Sequence, residues 1–284
     1  MGDWDGWIGR EERRQDELTP GLIMRWCAAL DRSTPIGNEV PQGLHWCLCV
    51  PDAPTAALGE DGHPRRDDSP ASFLPPIPLP RRMWAASKLE FISLIPPAAR
   101  IERVSKVASV AAKSGASGAL VFVEVAHETL ADGNLAVREV QSLVYREASP
   151  VGAAPVPPPP GDGAFDPAGW DHTRALVPAE ALLFRYSALT FNSHRIHYDA
   201  PYARNVEGYR ALVVHGPLIA TLLLDLARRE HGENALASFS FRAVSPGMCG
   251  EPMHLALRRE GEELALAAFA GDGRQLMSAS ATLA

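Results

Sequence analysis

The chain has no C-x-x-C pair, no G-x-S-x-G, no H-E-x-x-H and no excess of basic residues. Nor does any stretch approach the ~18 apolar residues of a membrane span. Each absence removes a class of function. The four cysteines, Cys27, Cys47, Cys49 and Cys249, sit mostly among apolar neighbours, so Cys47-x-Cys49 reads as buried thiol rather than as a zinc or redox pair. Without the nucleophile frame, Gly115-Ala-Ser117-Gly118 reads as a hairpin turn, and no cysteine has a histidine at a telling position. Met1 to Asp16 is polar and charged with no apolar signal core, so a cytoplasmic protein is expected. A formal charge of −7 argues against nucleic acid or an anionic membrane as the main partner and leaves room for a local basic pocket.

What is present is 284 residues with a 46% hydrophobic fraction, enough for two domains or one large one with a real core. Proline and glycine are plentiful, 25 and 23, without collagen-like periodicity. The sharpest break, Ser149 to Gly163, carries Pro157-Pro158-Pro159-Pro160 and divides the chain into residues 1–148 and 164–284 with a linker at 149–163. A long loop from Pro51 to Pro80 reads equally well as a lid or wrapping segment and as a disordered insertion.

The halves read alike. In the first, Thr19-Pro20 opens a helix with Leu22, Ile23, Trp26, Cys27 and Leu30 on one face, and Leu44 to Val50 is a short apolar piece. Strand-like runs follow at Met83–Leu94, Ala99–Ala111, Leu120–His127 and Leu135–Tyr145. In the second, His215-Gly216-Pro217 opens a helix that is apolar nearly all round to Leu226 and must therefore be enclosed. Runs at Ala237–Ala243, Pro252–Leu257, Glu263–Phe269 and Gln275–Leu283 follow, and Asp132-Gly133 and Asp272-Gly273 both precede a last strand. A buried helix followed by an antiparallel meander, twice, predicts an α+β tandem (double) hot-dog fold, with two antiparallel sheets each wrapped around a central helix.

The chemistry concentrates between Phe184 and Pro217, which hold three of the nine histidines. A metal site from His194, His197, Asp199 and His215 is disfavoured, because the i, i+3 spacing is not that of helical zinc pairs and Pro201 with the aromatics argues for a loop. Structural histidines are the bland alternative, weakened by the clustering. General acid/base chemistry on an activated carbonyl fits better. His197 has the intrinsic pKa to take a proton from water, Asn192 can orient that water, and Gly216 at a helix N-terminus can present its N–H to an oxyanion. Addition of water to a double bond conjugated to a thioester uses all three and needs no metal.

Thr190 to His197 and the later His215-Gly216 resemble the MaoC-like, or (R)-specific enoyl-CoA, hydratases, with Asn192 standing where that family has its catalytic aspartate. The stretch Phe191-Asn192-Ser193-His194-Arg195-Ile196-His197-Tyr198-Asp199, with Pro78 to Trp84 and Arg242 to Pro246, is similar to the branch of mesaconyl-C4-CoA hydratases and type 2 hydroxyacyl-thioester dehydratases. The resemblance implies a first, FAS1-like dehydratase hot dog that holds the acyl group without catalysing, and a catalytic second one. It also implies that Leu44 to Val50 is the wrapped helix of the first half. The expected activity is hydration of an α,β-unsaturated acyl-CoA, mesaconyl-C4-CoA to citramalyl-CoA, with coenzyme A as part of the substrate and no other cofactor. Straight-chain 3-hydroxyacyl thioesters, hydrolysis of a thioester, and acyl-CoA binding without turnover are the alternatives. His197 would serve as both base and acid, His194, Asp199 and His215 would support it, and Arg195, Arg82, Trp84 and Arg242 would meet the substrate. Arg81 and Lys88 are further candidates for the phosphates. A homodimer of double hot dogs is compatible with this reading.

Overall fold

The computed structural model describes residues 4–33, 40–115, 118–148 and 156–284. The first half contains β1 (Glu11–Glu17), α1 (Pro20–Ala29), β2 (Arg81–Phe91), β3 (Arg100–Gly115), β4 (Gly118–Ala131) and β5 (Asn134–Arg146). The second contains β6 (His172–Leu176), α2 (Glu180–Thr190), α3 (Ala200–Asn205), α4 (Gly216–His231), β7 (Leu236–Ala243), β8 (Met253–Glu260), β9 (Glu263–Ala270) and β10 (Gln275–Leu283). All ten strands join one antiparallel sheet in the order β1-β3-β4-β5-β2-β7-β10-β9-β8-β6. The seam between the halves is the β2–β7 pairing, Ala86 opposite Arg242 through Glu90 opposite Ser238. The ten strands include all eight anticipated runs, several of them longer than the hydrophobic signal because their ends are exposed.

The core forms around α4. Ten consecutive residues from Leu218 to Ala227 are buried, and the helix packs on β8, β9 and β10. The same cluster takes Leu89 and Val137 from the first half and Phe239, Leu255 and Leu266 from the second, so one core crosses the seam. At the helix's other end the buried carboxylate of Asp225 accepts from Arg174 of β6 at 3.0 Å, Arg228 at 2.9 Å and Arg229 at 2.8 Å. A charge sunk in apolar packing survives only with such partners.

Local chemistry explains most of the elements. Thr19 accepts the Leu22 N–H and Pro20 follows, so α1 begins where its cap requires. The stretch Leu44 to Val50, expected to be the wrapped helix of the first half, instead forms only a single buried 3-10 turn at Leu44–Cys47, after which Leu48 is extended. Asp132 and Gly133 both have positive φ in a two-residue turn between β4 and β5, the geometry that matches strand twist. The second Asp-Gly pair, Asp272-Gly273, lies in a longer connection with positive φ only at the glycine. The four cysteines are free thiols.

Three further features go beyond or against the reading of the sequence. The stretch around Pro201 is not a plain loop: Arg195–His197 is a 3-10 turn and α3 follows, with Pro201 in its first turn, where a missing N–H costs nothing, and Asp199 capping the Tyr202 N–H. The strand β1 was not anticipated, because Glu11 to Glu17 is a charged edge strand on β3 with no buried residue. The Pro51–Pro80 loop wraps the molecule, reaching the segment around His194. Of the linker, residues 149–155 lie outside the described residues; Pro157 and Pro158 are held by their carbonyls on Arg210. Among the described residues no helix is long and apolar enough to cross a membrane.

Leu223, fully buried in α4, tests the core directly. Leu223→Ala is expected to cost about 2–5 kcal/mol by loss of transfer energy plus a cavity. The check is the urea unfolding midpoint, which should fall without a change in slope.

Candidate active site

α2 ends at Thr190, and Phe191 turns the chain in a left-handed conformation, φ 47°, so that residues 192–199 cross the N-terminus of α4. Asn192 stabilises this crossing: its Oδ1 accepts the His194 N–H at 2.9 Å and its own N–H donates to the Ser187 carbonyl at 2.9 Å. His197 is buried in the 3-10 turn, its Nδ1 2.7 Å from the Val213 carbonyl. A carbonyl can only accept, so Nδ1 carries the proton and the lone pair of the neutral ring is on Nε2. The His197 ring stacks on His215, centroids 3.6 Å apart. Since His215 caps α4 and Gly216 is its first residue, the His197 imidazole sits beside the first-turn N–H groups that have no partner within the helix. A side chain at Gly216 would point to the Trp84 carbonyl, 4.0 Å from its Cβ, so the helix N-terminus faces the β2 side of the seam.

His215 bonds Ser187 Oγ through Nε2 at 2.8 Å, while its Nδ1 is buried without a hydrogen-bond partner among the described residues. Burial drives the charged form out of the whole cluster. It lowers His197 to about 3, helped by the neighbouring His194, and lowers His194 to about 3, helped by His63. His215 falls well below the ordinary histidine range, by burial and then His197.

The other anticipated residues are placed as follows. Asp199 Oδ2 takes two bonds from Arg195, 3.0 Å from Nε and 2.7 Å from Nη2, and the guanidinium also lies over the Tyr202 ring. Arg195 and Asp199 thus engage each other. Trp84 belongs to an aromatic cluster with Trp46 and Phe241, its indole N–H on Ser87 Oγ at 2.9 Å. Arg242 is exposed on β7 at the seam. Arg81 is paired with Glu207 at 2.6 Å. Arg82 is half-buried with no hydrogen-bond or ion-pair partner among the described residues, and lines a cleft of 290 Å³ with Asp61, His63, Arg65, Arg66 and Asp68.

Sequence reasoning passed over Asp61 and His63. The backbone of residues 60–62 is knitted to 193–195: Arg195 N donates to the Asp61 carbonyl at 2.9 Å, Arg195 Nη1 to the Glu60 carbonyl at 3.0 Å, and Ser193 Oγ to the Gly62 carbonyl at 2.5 Å. Gly62, at φ 86°, lies so close to the Ser193 carbonyl that no Cβ fits. His63 Nδ1 is 2.9 Å from Asp61 Oδ2, and its ring lies 4.1 Å from that of His194. Asp61, His63 and His194 bring three ligand-type atoms within 4.8 Å of one another. Asp-Gly-His in a long loop was the only local signal, and its partner is far away in the chain.

The hydroxyacyl-thioester dehydratase type 2 family matches residues 43–249. The mesaconyl-C(4)-CoA hydratase of Chloroflexus aurantiacus is 41% identical over 288 residues, 99% of this chain and 98% of that protein. Among solved structures, a MaoC-like dehydratase from Phytophthora capsici superposes with a TM-score of 0.70 at 12% identity, covering 100% of this chain and 99% of the other. A Mycobacterium tuberculosis protein described as a double hot dog gives 0.60 at 14% identity, covering 98% and 96%. At these identities the two structures speak to the fold, which is the double hot dog.

The histidine cluster makes stability depend on pH. Unfolded, each ring protonates near 6.5; folded, His194 and His197 do so only near 3, and burial holds His215 well below its ordinary range. Below 6.5 the unfolded chain therefore binds more protons. The stability these rings contribute is full above that pH and is lost as pH falls toward 3, by up to about 1.4 kcal/mol per pH unit for each ring. Urea midpoints at pH 7 and pH 5 should show the drop, and His197→Gln should flatten it.

Proposed function

The chain belongs to the hydroxyacyl-thioester dehydratase type 2 family, and from that premise we propose that it is a hydro-lyase adding water to mesaconyl-C4-CoA to give citramalyl-CoA. The observation that carries this reading is the His197 lone pair on Nε2, fixed by the Val213 carbonyl beside the N-terminus of α4. Near-complete coverage at 41% identity to a mesaconyl-C(4)-CoA hydratase supports the substrate.

In this reading His197 Nε2 takes a proton from water as the oxygen adds to the β-carbon. A neutral ring is needed for that step, and burial supplies it at every pH near neutrality. Charge then moves to the thioester oxygen, where the Gly216 N–H and the helix dipole stabilise the enolate. Asn192 holds the crossing segment and offers its carboxamide NH₂ to the water; it has no acidic proton to give. The α-carbon is protonated last. No step requires an electron acceptor or a covalent enzyme intermediate, and coenzyme A enters as part of the substrate.

The substrate's free carboxylate needs a cation that is not already spent. Arg195 is engaged by Asp199 and Arg81 by Glu207; of the two candidate arginines without such a partner among the described residues, Arg242 is exposed on β7 and Arg82 lines a cleft, so Arg82 is the partner we assign. Residues 1–148 would then frame the acyl group and residues 164–284 carry His197 and Gly216. The free thiols support work in the reducing cytoplasm. The second reading, dehydration of 3-hydroxyacyl thioesters, is the same chemistry in reverse and is favoured by the family match.

Following loss of the conjugated-enoyl absorbance tests the reading. His197→Ala should lower kcat by about 10²–10⁴-fold in a folded chain. Arg82→Ala should raise KM for the dicarboxylic enoyl-CoA by about 10–100-fold, the worth of one charge-assisted bond, with little change for a straight-chain enoyl-CoA. Release of free thiol in place of hydration would identify a thioesterase instead.

A further inference from the structure

We propose that Asp61 and His63, carried by the first half on the Pro51–Pro80 loop, supply the acid arm of the site: His63 protonates the α-carbon while His197 deprotonates water. The proposal rests on the hydratase reading above and names the proton source which that reading leaves open.

Hydration takes a proton from water and delivers one to the α-carbon; position 192, an asparagine, can do neither, and a second group would spare His197 from carrying one proton from water to the α-carbon. Among the described residues, the carboxylate bound to an imidazole nearest this segment is Asp61, whose Oδ2 lies 2.9 Å from His63 Nδ1. That contact gives His63 the arrangement of a general acid/base dyad: Nδ1 is engaged by the carboxylate, and Nε2 is the nitrogen left to exchange a proton. His63 and Asp61 line the cleft that also holds the unpaired Arg82, so the dyad and the proposed carboxylate site share one wall. His63 packs on His194, and His194 packs edge-on against His197, centroids 5.5 Å apart. The row His63, His194, His197, His215 thus runs from the cleft to the α4 N-terminus.

The placement is built into the backbone. Three hydrogen bonds and the close approach of Gly62 to Ser193 tie residues 60–62 to 193–195, so the dyad cannot shift without moving the strand of chain that carries His197. Asp61 stays ionised: burial opposes its charge, but the hydrogen bond and charge of His63 outweigh that and take the carboxyl down to about 2. The charged and titratable groups facing His63 are Asp61, His194, Arg65, Arg66, Asp68 and Arg82.

Atoms and charge balance. Water gives one proton to His197 Nε2 and its oxygen forms the bond to the β-carbon. The double-bond electrons pass to the thioester as an enolate, then collapse onto the α-carbon, which takes the Nε2 proton of a His63 imidazolium and leaves a neutral ring whose Nδ1–H stays on Asp61. The enzyme ends with one proton gained at His197 and one lost at His63, and solvent restores both.

The experiment uses the full chain and the enoyl-CoA that the wild type hydrates, with thermal melts to confirm folding. His63→Gln is expected to lower kcat by about 100-fold or more while KM stays within about threefold. His63→Gly should regain rate on addition of imidazole. Asp61→Asn should lower kcat less, and Asp61→Glu should recover part of the loss, since Asp61 acts through His63. Retention of kcat in His63→Gln, a loss confined to KM, or failure of imidazole to restore His63→Gly would overturn the proposal, as would activity that depends on a metal held by Asp61, His63 and His194. A wild type that hydrates no enoyl-CoA would strike at the hydratase reading itself, which the His197→Ala comparison tests separately.

Discussion

Enclosure of α4 is the constraint on which the rest depends. From Leu218 to Ala227 it has no face fit for water, so the second-half strands and the first-half residues Leu89 and Val137 must close over it. Its C-terminal half is secured by Asp225 among arginines. Its N-terminal end is where closure stops, leaving first-turn N–H groups at the seam between the halves. A helix buried for packing reasons thereby presents its first-turn N–H groups at that end, and His215 and His197 are placed by their position relative to it.

The electrostatics follow from the same burial. Burial of His194, His197 and His215 makes these three rings reluctant to carry charge, so they are neutral bases and a cost to stability in acid. A site made only of such rings has no carboxylate to offset the charge that forms when one of them takes a proton. Asp61 brings the missing carboxylate from the other half, and the glycine between it and His63 is what lets the two halves approach closely enough.

The legible parts of the fold were those with a buried face. The eight apolar runs, the all-apolar helix and the Thr19 cap each announce themselves locally, because burial imposes periodicity and capping imposes residue type. The edge strand β1 buries nothing and left no pattern. The helix α3 was hidden by Pro201, which reads as a breaker unless Asp199 is recognised as its cap. Arg195 looked available in the sequence; three dimensions show it engaged by Asp199, four residues on.

The sequence by itself determined two repeated helix-and-sheet halves and a histidine-rich segment, with Asn192 at its start, running into a helix N-terminus. Only the tertiary structure decided which imidazole nitrogen of His197 is free, that Arg195 and Arg81 are already paired, and that Asp61 and His63 lie against Ser193 and His194. Those are contacts between residues far apart in the chain, and no local propensity or spacing records them. They arise when a core closes, and the physical reason they stay fixed is that the Asp61 and Gly62 carbonyls accept from Arg195 N–H and the Ser193 hydroxyl beside a glycine that admits no side chain.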